Sequence, residues 1–163
     1  MTFTQTNDPD ISQTVQSLQS LDVDDQLGLF YVIYKEMGNS ITPAAPGAST
    51  VGTDIAEGLF NQVKEKSHEE QLQLQRDLIN KADNEYTRMY GSMSETTKLL
   101  FWYRLAQGMD SGTIIPMPSD YKVSGQAEEV FNKIKGMEFQ QQITLFRDYV
   151  GPMGAEAKPG ADI

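Results

Sequence analysis

The chain has 163 residues, of which 39% are hydrophobic, and its 23 acidic and 13 basic residues give a formal net charge of -10. This length and apolar content suffice for one domain with a real core. The acidic excess disfavours nucleic acid and anionic membrane surfaces as partners. The absence of cysteine excludes disulfides and thiolate metal sites, and His68 has no second histidine with which to bind zinc or haem. No signal peptide or run of ~20 apolar residues is found, so we expect a cytoplasmic protein without a transmembrane segment.

Apolar spacing and capping signals predict an all-α fold of about eight helices. The first opens at Pro9, and the second follows Asp22 and runs through DQLGLFYVIYKEMG to Gly38. A connection rich in proline and glycine then extends to about Thr53. The third helix carries an apolar stripe of Ile55, Leu59 and Val63.

Two of the later helices have clear start signals. Ser67 and Glu70 have the spacing of a capping box, and Ser94 is placed to cap the helix that carries the only tryptophan. The remaining helices are predicted at about 67–80, 86–90, 94–112, 124–134 and 140–150, with a proline-marked loop at 113–121.

An internal repeat links the two halves of the chain. The segment AEGLFNQVKEKSHEEQLQLQRDLIN, from Ala56, aligns without gaps with AEEVFNKIKGMEFQQQITLFRDYVG, from Ala127. Upstream, with one extra residue of spacing, Leu27, Phe30, Tyr31 and Met37 match Leu99, Trp102, Tyr103 and Met109. We therefore predict two related helical halves, about 20–90 and 91–151, that pack together.

The stretch LLFWYRLAQGMD, from Leu99 to Asp110, is apolar on more than one side at helical spacing. Such a helix is either packed on both sides or packed on one side and exposed to an apolar ligand on the other, and aromatics at this spacing usually indicate packing. However, tyrosine and tryptophan carry polar groups, and methionine adapts to irregular apolar shapes. Gly28 costs ~1 kcal/mol of helix propensity and leaves room for close approach. These features favour an elongated apolar ligand between the halves.

Signatures of catalysis are missing from the sequence. It contains no glycine-rich phosphate loop, no G-x-S-x-G elbow and no metal-ligand cluster, so we do not expect an enzyme. The acidic pairs Asp24–Asp25 and Glu69–Glu70 stand at helix starts, where they favour the helix dipole. The repeated Arg76–Asp77 and Arg147–Asp148 pairs indicate helix-end charges or ion pairs.

Five segments, DQLGLFYVIYKEMG, ITPAAPGA, KLLFWYRLAQGMDSG, IPMPSDYK and QQITLFRDYVGPMG, resemble the N-terminal domain of orange carotenoid protein in order and separation. The chain is identified as a member of the helical carotenoid proteins, stand-alone homologues of that domain. The resemblance implies two interleaved four-helix bundles enclosing an apolar channel within residues 1–154, followed by a flexible tail at 155–163. It also implies a bound ketocarotenoid of the canthaxanthin, echinenone or 3'-hydroxyechinenone type.

The resemblance further implies which side chains contact the pigment. Tyr31 stands where orange carotenoid protein usually has tryptophan, and Gln75 stands where it has methionine. Arg147 matches an arginine that pairs with the C-terminal domain in the dark form and meets the light-harvesting antenna in the active form. The implied set is Leu27, Phe30, Tyr31, Tyr34, Met37, Gln75, Leu99, Trp102, Tyr103, Met109, Met117, Tyr121, Ile143 and Arg147.

The expected function is photoprotection, in which a bound ketocarotenoid quenches singlet oxygen or dissipates excitation. One alternative is a direct quencher of phycobilisome fluorescence, which would place the protein at the phycobilisome on the thylakoid surface. Another is a carrier that hands carotenoid to a homologue of the C-terminal domain. A helical scaffold without a ligand is the remaining interpretation.

Overall fold

A computed structural model describes residues 9–41, 50–118, 121–123 and 125–155, with side chains described from 9 to 36 and from 55 onward within those ranges. All regular structure in these ranges is helical, which confirms the predicted all-α class. Residues 42–49 of the predicted connection, the predicted helix start at 124 and most of the predicted tail lie outside the described residues. The eight helices are α1 (Pro9–Gln19), α2 (Val23–Ile41), α3 (Thr50–Lys64), α4 (His68–Asn80), α5 (Glu85–Gly91), α6 (Glu95–Ser111), α7 (Gly125–Lys135) and α8 (Phe139–Val150).

Two predicted boundaries differ from the structure. Helix α2 continues through Gly38, since one glycine inside a helix costs only ~1 kcal/mol, and α3 begins at Thr50 rather than near Thr53. The predicted stripe of α3 is wrong at Ile55, whose side chain is 46% exposed. Its neighbour Ala56 is fully buried, so the buried face of α3 begins one residue later.

The helices of one half of the chain pack on helices of the other half. Between the halves, α1 contacts α7 and α8, α2 contacts α6, α7 and α8, and α3 contacts α6. The buried apolar side chains of the described residues form one continuous cluster. Each aromatic helix, α2 or α6, thus lies against a helix from the opposite repeat.

The repeat is visible in how α4 and α8 begin. Before α4, the Ser67 hydroxyl accepts a hydrogen bond from the backbone N–H of Glu70 (3.2 Å), and the Glu70 carboxylate accepts one from the N–H of Ser67 (3.1 Å). Before α8, the N–H of Glu138 donates to the side-chain oxygen of Gln141 (2.9 Å). The first of these is the predicted capping box, and it is confirmed.

Matched glutamines tie each of these helices to the helix before it. The amide nitrogen of Gln71 donates to the carbonyl of Val63 (3.2 Å), and that of Gln142 donates to the carbonyl of Ile134 (2.9 Å). The two glutamines and their two acceptors occupy aligned positions of the repeat. The sequence repeat is therefore also a repeat of buried hydrogen bonds.

Gln71 also fixes the proline-marked loop that follows α6. Its amide donates to the carbonyl of Thr113 (3.1 Å) and accepts from the N–H of Ile115 (2.7 Å). Between them, Ile114 is fully buried against Gly108, where an added Cβ would lie 2.4 Å from Ile114 Cγ1. Glycine at position 108 therefore lets the loop fold back onto α6.

Replacing Gln71 should test this arrangement. We expect Gln71→Met to lower the free energy of unfolding by about 1–3 kcal/mol, because it leaves buried backbone groups unpaired. Gln73→Met is the matched control: Gln73 is exposed on the same helix, and its amide donates to Oδ1 of Asp77 (2.9 Å). Urea unfolding followed by circular dichroism measures both, and equal midpoints for the two variants would contradict the assigned role of Gln71.

Candidate ligand cavity

The aromatic helices α2 and α6 meet through side chains that the repeat places at equivalent positions. The rings of Phe30 and Trp102 stack with centroids 5.5 Å apart and an interplanar angle of 20°. One turn further along α2, the ring of Tyr34 meets that of Tyr103 edge-on at 5.2 Å. Aromatic pairs of this kind contribute ~0.5–1.5 kcal/mol beyond their buried area. The two halves are thus joined along a line of aromatic rings.

Two successive hydrogen bonds fix the position of the Trp102 indole. Its Nε1–H donates to the hydroxyl of Tyr90 (2.9 Å), which donates in turn to the carbonyl of Val150 (2.8 Å). Tyr90 is fully buried, and this burial raises the pKa of its hydroxyl far above the usual value. The indole orientation is therefore set by α5 and the end of α8.

A narrow space runs beside the stacked rings. Its volume is about 10 Å³, close to what one water molecule needs. Its walls come from α2, α4 and α6 and consist of Leu27, Phe30, Tyr31, Gln75, Trp102, Leu105, Ala106 and Met109.

A wider cavity of about 400 Å³ adjoins the narrow space. Leu27, Gln75 and Met109 line both spaces, so the two spaces are adjacent at these residues. The wider volume falls in the range of small-molecule sites. Its walls come from the start of α2, the middle of α4, the end of α6 and the proline-marked loop, and consist of Asp24, Asp25, Leu27, Gly28, Leu72, Gln75, Arg76, Met109, Ile115, Pro116, Met117, Pro118 and Tyr121.

Two polar atoms in the wall of the wider cavity are buried and make no hydrogen bond to the described residues. They are Nε2 of Gln75 and the hydroxyl of Tyr121. Burial, followed by the charge of Asp25, raises the pKa of Tyr121. The ring of Tyr121 lies where a side chain at Gly28 would be, since an added Cβ would lie 2.3 Å from its Cζ. The close approach predicted at Gly28 is therefore made by a tyrosine of the loop.

A polar cluster lies beside Tyr31 on the α2–α6 face. The Tyr31 hydroxyl donates to Oδ1 of Asp110 (2.6 Å), which also accepts from Nζ of Lys35 (3.3 Å). Burial, followed by this hydrogen bond, raises the pKa of Tyr31 from 10.0 to about 12. The same hydrogen bond is the main reason that the pKa of Asp110 is lowered. The ring of Tyr31, 6.2 Å from that of Tyr34, is thus held by a surface carboxylate.

The structure brings most of the predicted ligand set together. The residues that line one or both spaces are Leu27, Phe30, Tyr31, Gln75, Trp102, Met109, Met117 and Tyr121. Tyr34 packs on Tyr31 and Tyr103 packs on Tyr34, and neither lines the two spaces. Leu99 and Ile143 belong to the buried core. The side chain of Met37 lies outside the described residues.

Arg147 lies away from both spaces, and its Nε is buried without a partner among the described residues. The nearby carboxyl of Glu95 has a raised pKa, caused by burial and then by the charge of Asp148. Arg76, the repeat partner of Arg147, instead forms the predicted kind of ion pair, with its Nε 2.9 Å from Oδ1 of Asp24. The two equivalent arginines therefore have different surroundings.

The wider cavity is also lined by a residue outside the predicted set. Leu72 lines this cavity, whereas Ile143, at the equivalent position of the repeat, belongs to the buried core. Contact of Ile143 with the ligand stays a prediction. The position of Leu72 on α4, one turn from Gln75, is the sequence signal that points to it.

Comparison with known proteins identifies the family. A sequence model of the N-terminal domain of orange carotenoid protein matches residues 4–156. The chain belongs to this family. An orange carotenoid-binding domain-containing protein of Nostoc sp. (strain PCC 7120) is 46% identical over 90% of this chain and 84% of the relative. The orange carotenoid-binding protein of Synechocystis sp. (strain PCC 6803) is 38% identical, and the match spans only 46% of its length.

Solved structures of this family share the helical fold. The red carotenoid protein of Anabaena (Nostoc) sp. PCC 7120 that binds canthaxanthin superposes with a TM-score of 0.81 and 62% identity, covering 91% of this chain and all of that one. The orange carotenoid protein of the same organism, also with canthaxanthin, gives a TM-score of 0.80 and 36% identity over 47% of its length. Within the residues that the structure describes, no helix is long and apolar enough to cross a membrane.

The Tyr31–Asp110 contact leads to a prediction about pH. Because the folded protein raises the pKa of Tyr31, this contact stabilises the fold fully below pH 10 and loses its effect as the pH rises from about 10 through about 12. Asp110→Asn should lower the pKa of Tyr31, since the carboxylate disfavours the phenolate. The difference in tyrosinate absorbance between each protein and its Tyr31→Phe variant isolates this titration.

Asp83→Asn is the matched control for that measurement. It removes one carboxylate that pairs with Arg88, away from the aromatic residues of α2 and α6. We expect it to leave the titration of Tyr31 near pH 12. An equal shift in the Asp83→Asn and Asp110→Asn proteins would indicate a general charge effect and contradict the local contact.

Proposed function

We propose that this protein binds a ketocarotenoid between α2 and α6 and uses it for photoprotection, by quenching singlet oxygen or dissipating excitation. The observation that carries the proposal is the pair of adjoining spaces beside the Phe30–Trp102 stack. The red carotenoid protein at 62% identity, which binds canthaxanthin, supports this class of ligand. A non-enzymatic role fits the family.

We further propose that the eight helices form two interleaved four-helix bundles with the pigment channel between them. The contacts of α1 and α2 with α7 and α8 support one bundle, and those among α3, α4, α5 and α6 support the other. The chain would then enter the first bundle, form the second, and return to the first. The two spaces lie where α2, α4 and α6 converge, which is the expected place for a channel.

The side chains present fit an apolar polyene with oxygenated end rings. Phe30, Tyr31 and Trp102 supply flat walls, while Leu27 and Met109 continue the apolar surface from the narrow space into the wider cavity. When bound, the carotenoid supplies the low-lying excited states that take up energy and release it as heat. The protein's part is to solubilise the pigment, exclude water and restrict its conformation.

Pigment transfer is a second candidate function, favoured by the mouth of the wider cavity. Its rim includes the exposed residues Asp24, Pro116 and Pro118, so this end reaches the surface. A carrier needs such an exit toward a C-terminal-domain homologue, and a colour shift on mixing with that apoprotein would test the transfer. Direct quenching of the phycobilisome is less well supported, because the net charge of -10 does not favour docking on acidic antenna proteins.

Purification from a host that makes ketocarotenoids tests the main proposal. We expect a coloured protein whose extracted pigment is a ketocarotenoid, with approximately one pigment per chain. The pigmented protein should also shorten the lifetime of singlet oxygen more than the protein purified without pigment. A colourless product from that host would contradict the proposed function.

Trp102→Phe tests the aromatic wall. It should shift the visible absorption and weaken pigment retention by about 2- to 10-fold, as expected for a lost aromatic contact. Phe131→Leu is its control, because it removes a buried aromatic ring of α7 that lines neither space. We expect Phe131→Leu to cost about 0.5–3 kcal/mol of stability and to leave the spectrum unchanged. If both variants changed the spectrum equally, Trp102 would act through the fold rather than on the pigment.

A further inference from the structure

The wider cavity contains two hydrogen-bond donors that the fold does not use. Gln75 is only 4% exposed, and its Nε2 makes no hydrogen bond with the described residues. The hydroxyl of Tyr121 is also buried and makes no hydrogen bond with the described residues, and both side chains line this cavity. Buried polar groups in folded proteins almost always have a partner. Two unused donors in one cavity therefore indicate a ligand that carries an acceptor.

Packing does not require a polar side chain at position 75. Its repeat partner, Phe146, is apolar and 1% exposed in the core. Other buried glutamines of this chain use their amide nitrogens on the backbone, as Gln26 does with the carbonyl of Leu21 (2.8 Å) and Gln71 with that of Val63 (3.2 Å). Gln75 is the exception among these three amides, and it is the one that faces the cavity.

The position of the second donor, the hydroxyl of Tyr121, depends on the absence of a side chain at Gly28. The ring of Tyr121 occupies the space that a Cβ at Gly28 would take, so the phenol is seated against α2. The backbone N–H of Tyr121 donates to the carbonyl of Pro118 (3.0 Å), which holds Tyr121 beside Pro118. These contacts place the ring in the cavity wall with its hydroxyl buried.

Charge at this cavity favours a neutral acceptor. The cavity wall carries Asp24, Asp25 and Arg76, and the arginine is already paired with Asp24 at 2.9 Å. An anionic ligand would meet Asp25 without a free cation in the lining. A ketone accepts hydrogen bonds, donates none and carries no charge, so it matches two donors in an otherwise apolar wall.

We propose that Gln75 and Tyr121 donate hydrogen bonds to the keto oxygen of one end ring of the bound carotenoid. This inference rests on the proposed function and deepens it. The two side chains select pigments that carry a keto ring and orient that ring toward the proline-marked loop. They are specificity-determining residues of the cavity.

Competitive loading tests the proposal. The full chain, purified without pigment, is mixed with equal amounts of canthaxanthin, which has a keto oxygen on each ring, and β-carotene, which has none. The bound pigments are then extracted and counted. We expect the wild type to favour canthaxanthin, and Gln75→Met and Tyr121→Phe each to reduce that preference by about 2- to 10-fold, as for one lost hydrogen bond. The keto stretch of bound canthaxanthin should rise in frequency in both variants.

Gln73→Met serves as the control, because it makes the same substitution at an exposed position of α4. It should keep the wild-type preference. Because both donors act on one oxygen, the double variant Gln75→Met/Tyr121→Phe should lose less than the sum of the single effects. Circular dichroism confirms that each variant is folded.

The outcomes separate this inference from the proposed function. A wild type that binds both pigments, with a preference and keto stretch unchanged in Gln75→Met and Tyr121→Phe, would overturn the inference and leave the proposed function standing. A preference lost equally in the Gln73→Met control would also overturn it. A wild type that binds neither pigment would overturn both.

Discussion

The contact on which the structure depends is the stack of Phe30 on Trp102. The two rings come from equivalent positions of the repeat, so each half of the chain supplies one side of the same contact. A helix as apolar as α6 cannot leave its aromatic face in water, and its own half provides too little surface to cover it. Burial of this face therefore requires the opposite half. The same requirement explains why α1 and α2 pack on α7 and α8 across the repeat.

The buried polar groups around this contact differ in whether they have a hydrogen-bond partner. The indole N–H is bonded to Tyr90, and the buried hydroxyl of Tyr149 donates to Oε1 of Gln26 (2.6 Å). Among the described residues, unpartnered buried side-chain atoms occur in two places: at the wider cavity, and near the junction of α6 and α8, where Glu95 and Arg147 lie. Leaving such an atom unpaired costs ~1–3 kcal/mol, so both places lower the free energy of unfolding. The first of them is also a cavity.

The helices could be predicted from the sequence because their signals are local. The capping box of Ser67 and Glu70 and the glycine after α6 depend on neighbours within a few residues, and both are found where expected. The exposure of Ile55 could not be predicted, because it depends on which face of α3 the other helices cover. The repeat identified equivalent positions but not their environments, so it could not show that Leu72 lines the cavity whereas Ile143 lies in the core. Gly28 indicated a close approach, yet only the folded loop shows that Tyr121 makes it.

The two positions at which this chain departs from the resembled family pattern illustrate how a polar substitution acquires a role. Both Tyr31 and Gln75 place a hydrogen-bonding group where that pattern has a less polar side chain. The hydroxyl of Tyr31 is bonded to Asp110, so its polarity fixes the ring as part of a wall. The amide nitrogen of Gln75 has no such partner among the described residues, although it is far more deeply buried. Stability alone would favour an apolar residue there, and the proposed keto ligand supplies a physical reason for an amide at position 75.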